Sequence, residues 1–443
     1  MSQISLRAAA ASIAAIPSYQ VQGRVAGLAG ITVSLDGLAP FAAIGDRVQL
    51  APQGGAPVMA EIAAFRGARA EAIALGPLSG LAPGLPALLL GAPALAVCDD
   101  WLGRVLDPMG MPMDGKPPPE RGTRRRSTHA PAPQAGSRAR QGPRLGLGVR
   151  AIDLFAPLRR GQRLGLFAAS GIGKSSLMAM MAGGAEADIV VFALVGERGR
   201  ELREFLEDDL GPERMARSVV ICATSDSAAP LRREAAYAAM SVAEHFRDEG
   251  RQVLLLMDSV TRFALALREI GLAVGEPPAT RGFPPSVFTE LPRLLERAGM
   301  GEDGHPGAIT ALFTVLVEGD DHDEPIADAV RGILDGHVVL DRAIAEAGRY
   351  PPVDVLRTVS RSMPGVLEDA DRAAVLHARK LLALHFEARD LLRLGAYRPG
   401  GDPALDEAVR LAPAIESLIT QPKGEARSAD DSFARLRAVL ASG

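Results

Sequence analysis

Between Val21 and about Leu90 the apolar residues come in short stretches broken by glycine: VQGRVAGLAG, ITVSLDGL, GDRVQL, PVMAEIAAF and ARAEAIAL. Brief runs at such close spacing predict a small antiparallel β-barrel. GRVLDPMGMPMDGKPPP follows, where crowded proline and glycine predict an irregular connector. From about Leu145 the rhythm changes. QRLGLF, ADIVVFALVG, SVVICATS, QVLLLMDSV and AITALFTVLVE are continuous apolar runs, as expected of strands covered on both faces in a parallel sheet. Amphipathic stretches such as APLRREAAYAAMSVAEHFRDEG separate them, and this alternation predicts a doubly wound α/β core. After about Pro364 the periodicity is helical, through DRAAVLHARKLLALHFEARDLLRLG, DPALDEAVRLAPAIESLITQ and SADDSFARLRAVLAS. The expected division is residues 1–92 for an N-terminal helix and barrel, 93–144 for a connector with a basic Pro-rich linker, 145–364 for the α/β domain and 365–443 for a helical domain.

Composition changes this picture only at a few points. Hydrophobic residues make up 47% and aromatics 4%, so Ala, Leu, Val and Ile must build the core. No apolar run reaches the length needed to span a bilayer. Arg7 and AAAASIAAI read as a short helix rather than a secretory signal, because the run is Ala-rich and lacks Leu. Cys98 and Cys222 are too few for a disulfide framework and lack metal-ligand spacing, which favours a reducing, cytoplasmic setting. The net charge of −4 hides one concentration. Between Lys116 and Arg150 stand nine basic residues (Lys116, Arg121, Arg124, Arg125, Arg126, Arg138, Arg140, Arg144, Arg150) against the single acid Glu120, making this the candidate polyanion patch.

The chemistry concentrates at LFAASGIGKSSL, residues 166–177. Ala168, Ala169, Ser170, Gly171, Ile172, Gly173, Lys174, Ser175 and Ser176 lie between the strand QRLGLF and the helical run SSLMAMMA, the context of a phosphate loop. Glycines let backbone N–H groups turn toward a phosphate at a helix N-terminus, where the helix dipole favours anions. Lys174 would neutralise the β and γ phosphates of ATP, and the Ser175 hydroxyl would ligate Mg2+. Ala168 stands where the pattern G-x-x-x-x-G-K-[ST] opens with glycine. In VLLLMDSVTRF, Asp258 ends an apolar strand at the carboxyl edge, where α/β sheets place their ligands; it can hold Mg2+ through water or cap the next helix. VGERGRELREF delivers Glu197 and Arg198 to the same edge. Glu197 can polarise an attacking water or serve as a first-turn helix acid.

In this order and spacing the three elements resemble the catalytic subunits of rotary-type ATPases, over nearly the whole chain. GRVLDPMGMPMDGK, GVRAIDLFAPLRRGQR and RYPPVDVLRTVSRS are similar to the connector, the lead-in to the phosphate loop and the signature of that family. GERGRELREFLEDDLG, EPPATRGFPPSVFTELPRLLERAG, EGDDHDEPIADAVRGILDGHVVLDR and LGAYRPGGDPALDEA resemble its flagellar and type III protein export branch. The resemblance implies a RecA-like core between barrel and C-terminal helices. It casts Glu197 as the catalytic base with Arg198 beside it near the γ phosphate, Asp258 as organiser of Mg2+, Arg262 as part of the site wall and Tyr350 as the adenine platform. Arg361 becomes an arginine finger reaching a neighbouring subunit; one chain then carries both base and finger, which permits a homohexamer. The branch also has Ala at the position of Ala168; Ala169 replaces a frequent glycine, Thr358 replaces a serine, and residues 120–144 fit the family poorly.

The implied function is ATP hydrolysis that drives or primes flagellar protein export. The implied partners are a regulatory stalk protein at the N-terminal helix, export chaperones and substrates at the C-terminal domain, the export gate, and a peripheral contact with the inner membrane. The alternatives are a virulence-type secretion ATPase, a hexameric RNA translocase and an ATP synthase subunit. The RNA reading rests on the basic run alone, and the only aromatics of the barrel region are Tyr19, Phe41 and Phe65, none near that run, so no nucleic acid is expected.

Overall fold

The computed structural model describes residues 19–169, 171–317 and 324–442, so the expected N-terminal helix and Ser170 lie outside the described residues. The chain divides into two compact units. The first contains β1 (Gln22–Ala29), β2 (Thr32–Asp36), β3 (Arg47–Leu50), β4 (Val58–Arg66), β5 (Arg69–Ala74) and β6 (Pro86–Gly91), closed as an antiparallel barrel in the order β1-β2-β5-β4-β3-β6. Closure leaves no sheet edge open to pairing with other chains. Val33 and Leu35 of β2 are fully buried while the residues between and beside them are not, as the two-residue repeat of a strand requires.

The second unit is organised around a nine-stranded sheet. Its strands are β7 (Arg104–Leu106), β8 (Arg163–Ala168), β9 (Ile189–Glu197), β10 (Ser218–Thr224), β11 (Gln252–Asp258), β12 (Ala308–Leu316), β13 (Gly336–Val339) and β14 (Val359–Ser360), in the order β14-β13-β8-β12-β11-β9-β10-β7, with Gly299–Met300 pairing on β12. All neighbours from β13 to β7 are parallel, and β14 is antiparallel. β7 comes from the stretch expected to be an irregular connector. Three residues bounded by glycine and proline are too short to show a period, and only pairing with β10 makes them a strand.

Burial on both faces explains the unbroken apolar runs. Along β9, Val190, Phe192 and Leu194 enter one core while Ile189, Val191, Ala193 and Val195 enter the other. Parallel pairing then carries the carboxyl ends of β8, β9 and β11 to one edge. The first core holds α1 (Lys174–Gly184) together with the C-terminal helices α7 (Asp369–Glu387), α8 (Pro403–Ile419) and α9 (Ala429–Ala441). Val375, Leu381, Leu411, Ile415, Phe433 and Leu436 are continuous there with Leu177, Met178 and Met181. Asp402 caps α8 and Ser428 caps α9, satisfying N–H groups that the helices leave open. Between α1 and α7, α2 (Gly199–Glu204) packs Leu202 against the first core, and the second core holds residues of α3 (Ala229–Asp248), α4 (Val260–Val274), α5 (Pro285–Leu295) and α6 (Pro325–Ile333).

Part of the basic run is neutralised within the fold. Arg126 binds Asp248, Arg138 donates to Glu296, Arg144 pairs with Asp430, and Arg150 meets Glu425 at 2.9 Å. These acids lie from about 100 to 290 residues away in sequence, so a local count of charges misses them. Arg121, Arg124, Arg125 and Arg140 remain exposed. Beside this strap, Arg297 is 1% exposed and grips both Glu244 oxygens, at 2.9 and 2.8 Å, while also donating to the Thr128 carbonyl at 2.5 Å. Arg297→Ala would strand the buried Glu244 carboxylate. It is expected to lower stability by about 3–5 kcal/mol in urea denaturation, and adding Glu244→Gln should recover part of the loss.

Candidate active site

The phosphate loop connects β8 to α1. Gly171 and Gly173 have φ of +76° and +92°, a left-handed backbone that side chains disfavour. Ala169 is buried and is not among the positive-φ positions, nor is Ala168. The two alanines therefore occupy backbone that needs no glycine, which answers the departure of this loop from the glycine-opened pattern. Lys174 and Ser175 begin α1, and the Tyr350 ring flanks the loop: a Cβ on Gly173 would lie 3.9 Å from its Cε1. Tyr350 is half exposed.

Sheet register brings the acids to this loop. Leu194 of β9 pairs with Asp258 of β11, so Glu197, three residues further on, overhangs the same edge. Lys174 Nζ donates to Asp258 Oδ1 at 2.5 Å and lies 3.8 Å from Glu197 Oε1. Thr314 on β12 donates its hydroxyl to the same Asp258 oxygen at 2.7 Å. Asp258 is 3% exposed, so its orientation is held by these two donors rather than by water. Arg262 donates to the Gly196 carbonyl at 2.5 Å and places its Nε 3.4 Å from Glu197 Oε1.

Glu197 Oε1 is buried and accepts no hydrogen bond among the described residues. Burial, and then the Asp258 charge, push the Glu197 carboxyl up to about 7, against the opposing pull of Lys174 and Arg262. A carboxyl poised there can take a proton from water near neutral pH. The cavity in front of these groups has a volume of about 430 Å3 and is also lined by Ser176, Glu201, Phe205 and Asp209.

Arg198 lines its mouth but is 77% exposed and pairs with Glu201 at 3.4 Å. Arg361 is not brought to this cavity. It follows edge strand β14, is exposed, and among the described residues only its backbone N–H is engaged, to the Asp335 carbonyl at 3.0 Å. The signature around it is held from below. Thr358 is buried and accepts the Val339 N–H at 3.1 Å, so the hydroxyl common to Ser and Thr is the feature used. Sequence reasoning missed Thr314 and Asp209. Both are polar residues in apolar or acidic stretches, and nothing in their local pattern points to the site.

A loop that offers N–H groups to phosphates, with a buried carboxyl able to accept a water proton, defines the class of the molecule as a phosphate-loop nucleotide hydrolase. Comparison with known proteins narrows the class. Residues 148–360 match the family model of the ATP synthase alpha/beta family nucleotide-binding domain, and residues 367–438 match that of the T3SS EscN ATPase C-terminal domain. The chain is 49% identical to the flagellum-specific ATP synthase of Caulobacter vibrioides over 99% of its own length and 100% of that protein. It is 45% identical to the type 3 secretion system ATPase of Xanthomonas euvesicatoria, over 95% of this chain and 92% of the other. The assembled ATPase EscN from enteropathogenic E. coli, solved in complex with its central stalk EscO, superposes with a TM-score of 0.87 at 38% identity, over 94% of this chain and all of that one.

The chain belongs to the flagellar and type III secretion ATPases of the ATP synthase alpha/beta family. It is an ATPase.

Two outcomes are expected. The kcat/KM for ATP should rise with pH through a midpoint near 7, because the protonated Glu197 that predominates below it cannot accept a proton. Steady-state rates from pH 5.5 to 8.5 would check this, and a flat profile would remove Glu197 from the base role. Ala169→Gly should leave ATP affinity unchanged within about twofold by isothermal titration.

Proposed function

We propose that the chain works as a homohexameric ring whose ATP hydrolysis drives or primes the export of flagellar proteins through a type III secretion apparatus. One observation carries the ring: base and finger belong to one chain but not to one cavity. Glu197 is buried beside Lys174, whereas Arg361 sits exposed beyond an edge strand with no side-chain partner among the described residues. A subunit set against its neighbour can supply the missing cation to the next cavity, and identical interfaces close into a ring. EscN in its assembled form with a stalk protein is the structural precedent.

In this reading Lys174 and the N–H groups of the loop hold the β and γ phosphates, and Tyr350 stacks on adenine. Glu197 accepts the proton of the attacking water. Arg262 fixes the Gly196 turn from which Glu197 projects. Arg198 guards the mouth, and Arg361 of a neighbour spreads the charge of the transferring phosphoryl group. Mg2+ fits the residues present, since Ser175 and Asp258 offer hard oxygen donors and no larger cluster of ligating side chains occurs among the described residues. The ion, when bound, would supply neutralisation of the phosphate charge; Lys174, which donates to Asp258 here, would turn to the nucleotide.

The stalk contact is assigned to the N-terminal segment that precedes the described residues. Chaperones and substrates are assigned to the C-terminal helices, where Leu376, Phe386, Leu391 and Leu394 are exposed. The site of action is the cytoplasmic side of the export gate, with the exposed Arg121, Arg124, Arg125 and Arg140 available to the anionic inner membrane; no helix among the described residues is long and apolar enough to cross it. A non-flagellar secretion role is the second reading, supported by the Xanthomonas relative. Deleting the gene and scoring filament assembly and motility separates the two.

Glu197→Gln and Arg361→Ala should each lower kcat by about three orders of magnitude or more while retaining ATP binding. Mixed in equal amounts, the two inactive proteins should regain activity, with roughly a quarter of the interfaces joining an intact base to an intact finger. Absence of any recovery after co-refolding or co-expression would remove the shared site.

A further inference from the structure

Between α8 and α9 the chain runs through Thr420–Glu425, TQPKGE, and this short segment is fastened to the nucleotide cavity from two sides. Gln421 is 1% exposed. Its backbone N–H donates to the Tyr350 carbonyl at 2.8 Å, its side chain donates to the Gly148 carbonyl at 2.7 Å, and its Oε1 accepts the Arg150 N–H at 2.9 Å. Arg150 in turn donates to the Thr420 carbonyl at 2.7 Å and to Glu425 at 2.9 Å. The segment is therefore anchored to the carbonyl of Tyr350 and to the chain at Gly148–Arg150, although it belongs in sequence to the C-terminal helices.

On the phosphate side the same segment reaches Asp209, in the π-helical turn Phe205–Leu210. Lys423 Nζ pairs with Asp209 Oδ1, and the same oxygen accepts the Ser176 hydroxyl at 3.2 Å. Arg214 holds the Asp209 carbonyl at 2.9 Å. Ser176 directly follows Ser175 in the first turn of α1, and Asp209 lines the cavity with Lys174 and Ser175. The Asp209 side chain is 15% exposed and Lys423 44%. A carboxylate on the wall of a polyphosphate cavity repels its ligand unless a cation neutralises it. Lys423 is the cation that does so, and it comes from the C-terminal helices.

We propose that Lys423 is a positioning residue for nucleotide binding. By neutralising Asp209 and holding it on Ser176, it ties the segment between α8 and α9 to the phosphate loop, so that a displacement of the C-terminal helices changes the affinity for ATP. The proposal rests on the ATPase reading and adds a route from the helices assigned to substrates into the site. Its chemistry differs from the finger of Arg361, because Lys423 acts within its own subunit and on binding rather than on the transferring group.

The test is a double-substitution cycle on the full chain with Mg2+ and mant-ADP as the binding probe, and with steady-state ATP hydrolysis alongside. Lys423→Ala should weaken mant-ADP binding about three- to tenfold and raise the KM for ATP similarly, with kcat within about twofold. Lys423→Arg should bind as wild type. Asp209→Asn removes the charge that needs neutralising, so Lys423→Ala should have little further effect in that background. Lys423→Gln serves in place of the alanine if a thermal melt shows that variant unfolded. Equal affinity of wild type and Lys423→Ala would overturn the proposal, as would a full Lys423 effect that persists with Asp209→Asn. If the wild-type protein bound no mant-ADP, the ATPase reading itself would fall, and the proposal with it.

Discussion

The contact between Lys174 and Asp258 is the one on which the rest of the site depends. It joins the loop after β8 to the end of β11, two strands that are separated by β12 and do not pair with each other. For the pair to form, both strands must end close together along β12, as the registers Ala168↔Leu316 and Met257↔Phe313 arrange, while Leu194↔Asp258 carries β9 to the same edge. Those registers are in turn enforced by burial. A slip of one residue along β9 would exchange every side chain between the two apolar cores, so the sheet has little freedom to place its carboxyl edge elsewhere. The same constraint sets Glu197 beside the ammonium and removes it from most of the bulk solvent, and that desolvation raises its proton affinity.

The site is not confined to the α/β sheet. Helices α7, α8 and α9 share one apolar core with the phosphate-loop helix, and Gln421 and Arg150 lock the segment after α8 beneath Tyr350. Packed interiors do not deform continuously. The C-terminal helices and α1 therefore form one packed unit, with no apolar break between them. Elements far apart in the chain are in this way brought together around the cavity, while Arg361 stays exposed outside it.

Local chemistry made much of this legible before any coordinates. Continuous apolar runs announce strands buried on both faces, and glycine-broken short runs announce the barrel, because strand periodicity reflects which faces meet water. Gly171, Gly173, Lys174 and Ser175 were visible because left-handed backbone, charge and hydroxyl must be adjacent in sequence to grip one phosphate. The basic run misled in its surroundings. Arg126, Arg138, Arg144 and Arg150 are neutralised by acids far along the chain, and no local count reveals such partners. The strand Arg104–Leu106 was hidden for a related reason, since three residues exist as a strand only through the neighbour they pair with.

By itself the sequence determined the element types, the phosphate loop and the residues able to do the chemistry, since these follow from periodicity and from groups within a few positions of one another. Tertiary structure decided which of them meet. It set Thr314 and Lys174 on one oxygen of Asp258 and left Glu197 Oε1 buried without a donor. It also put Lys423 against Asp209, two charges more than two hundred residues apart. The physical reason is that proximity across strands and helices depends on register and core packing, which are properties of the whole folded chain and of no single segment.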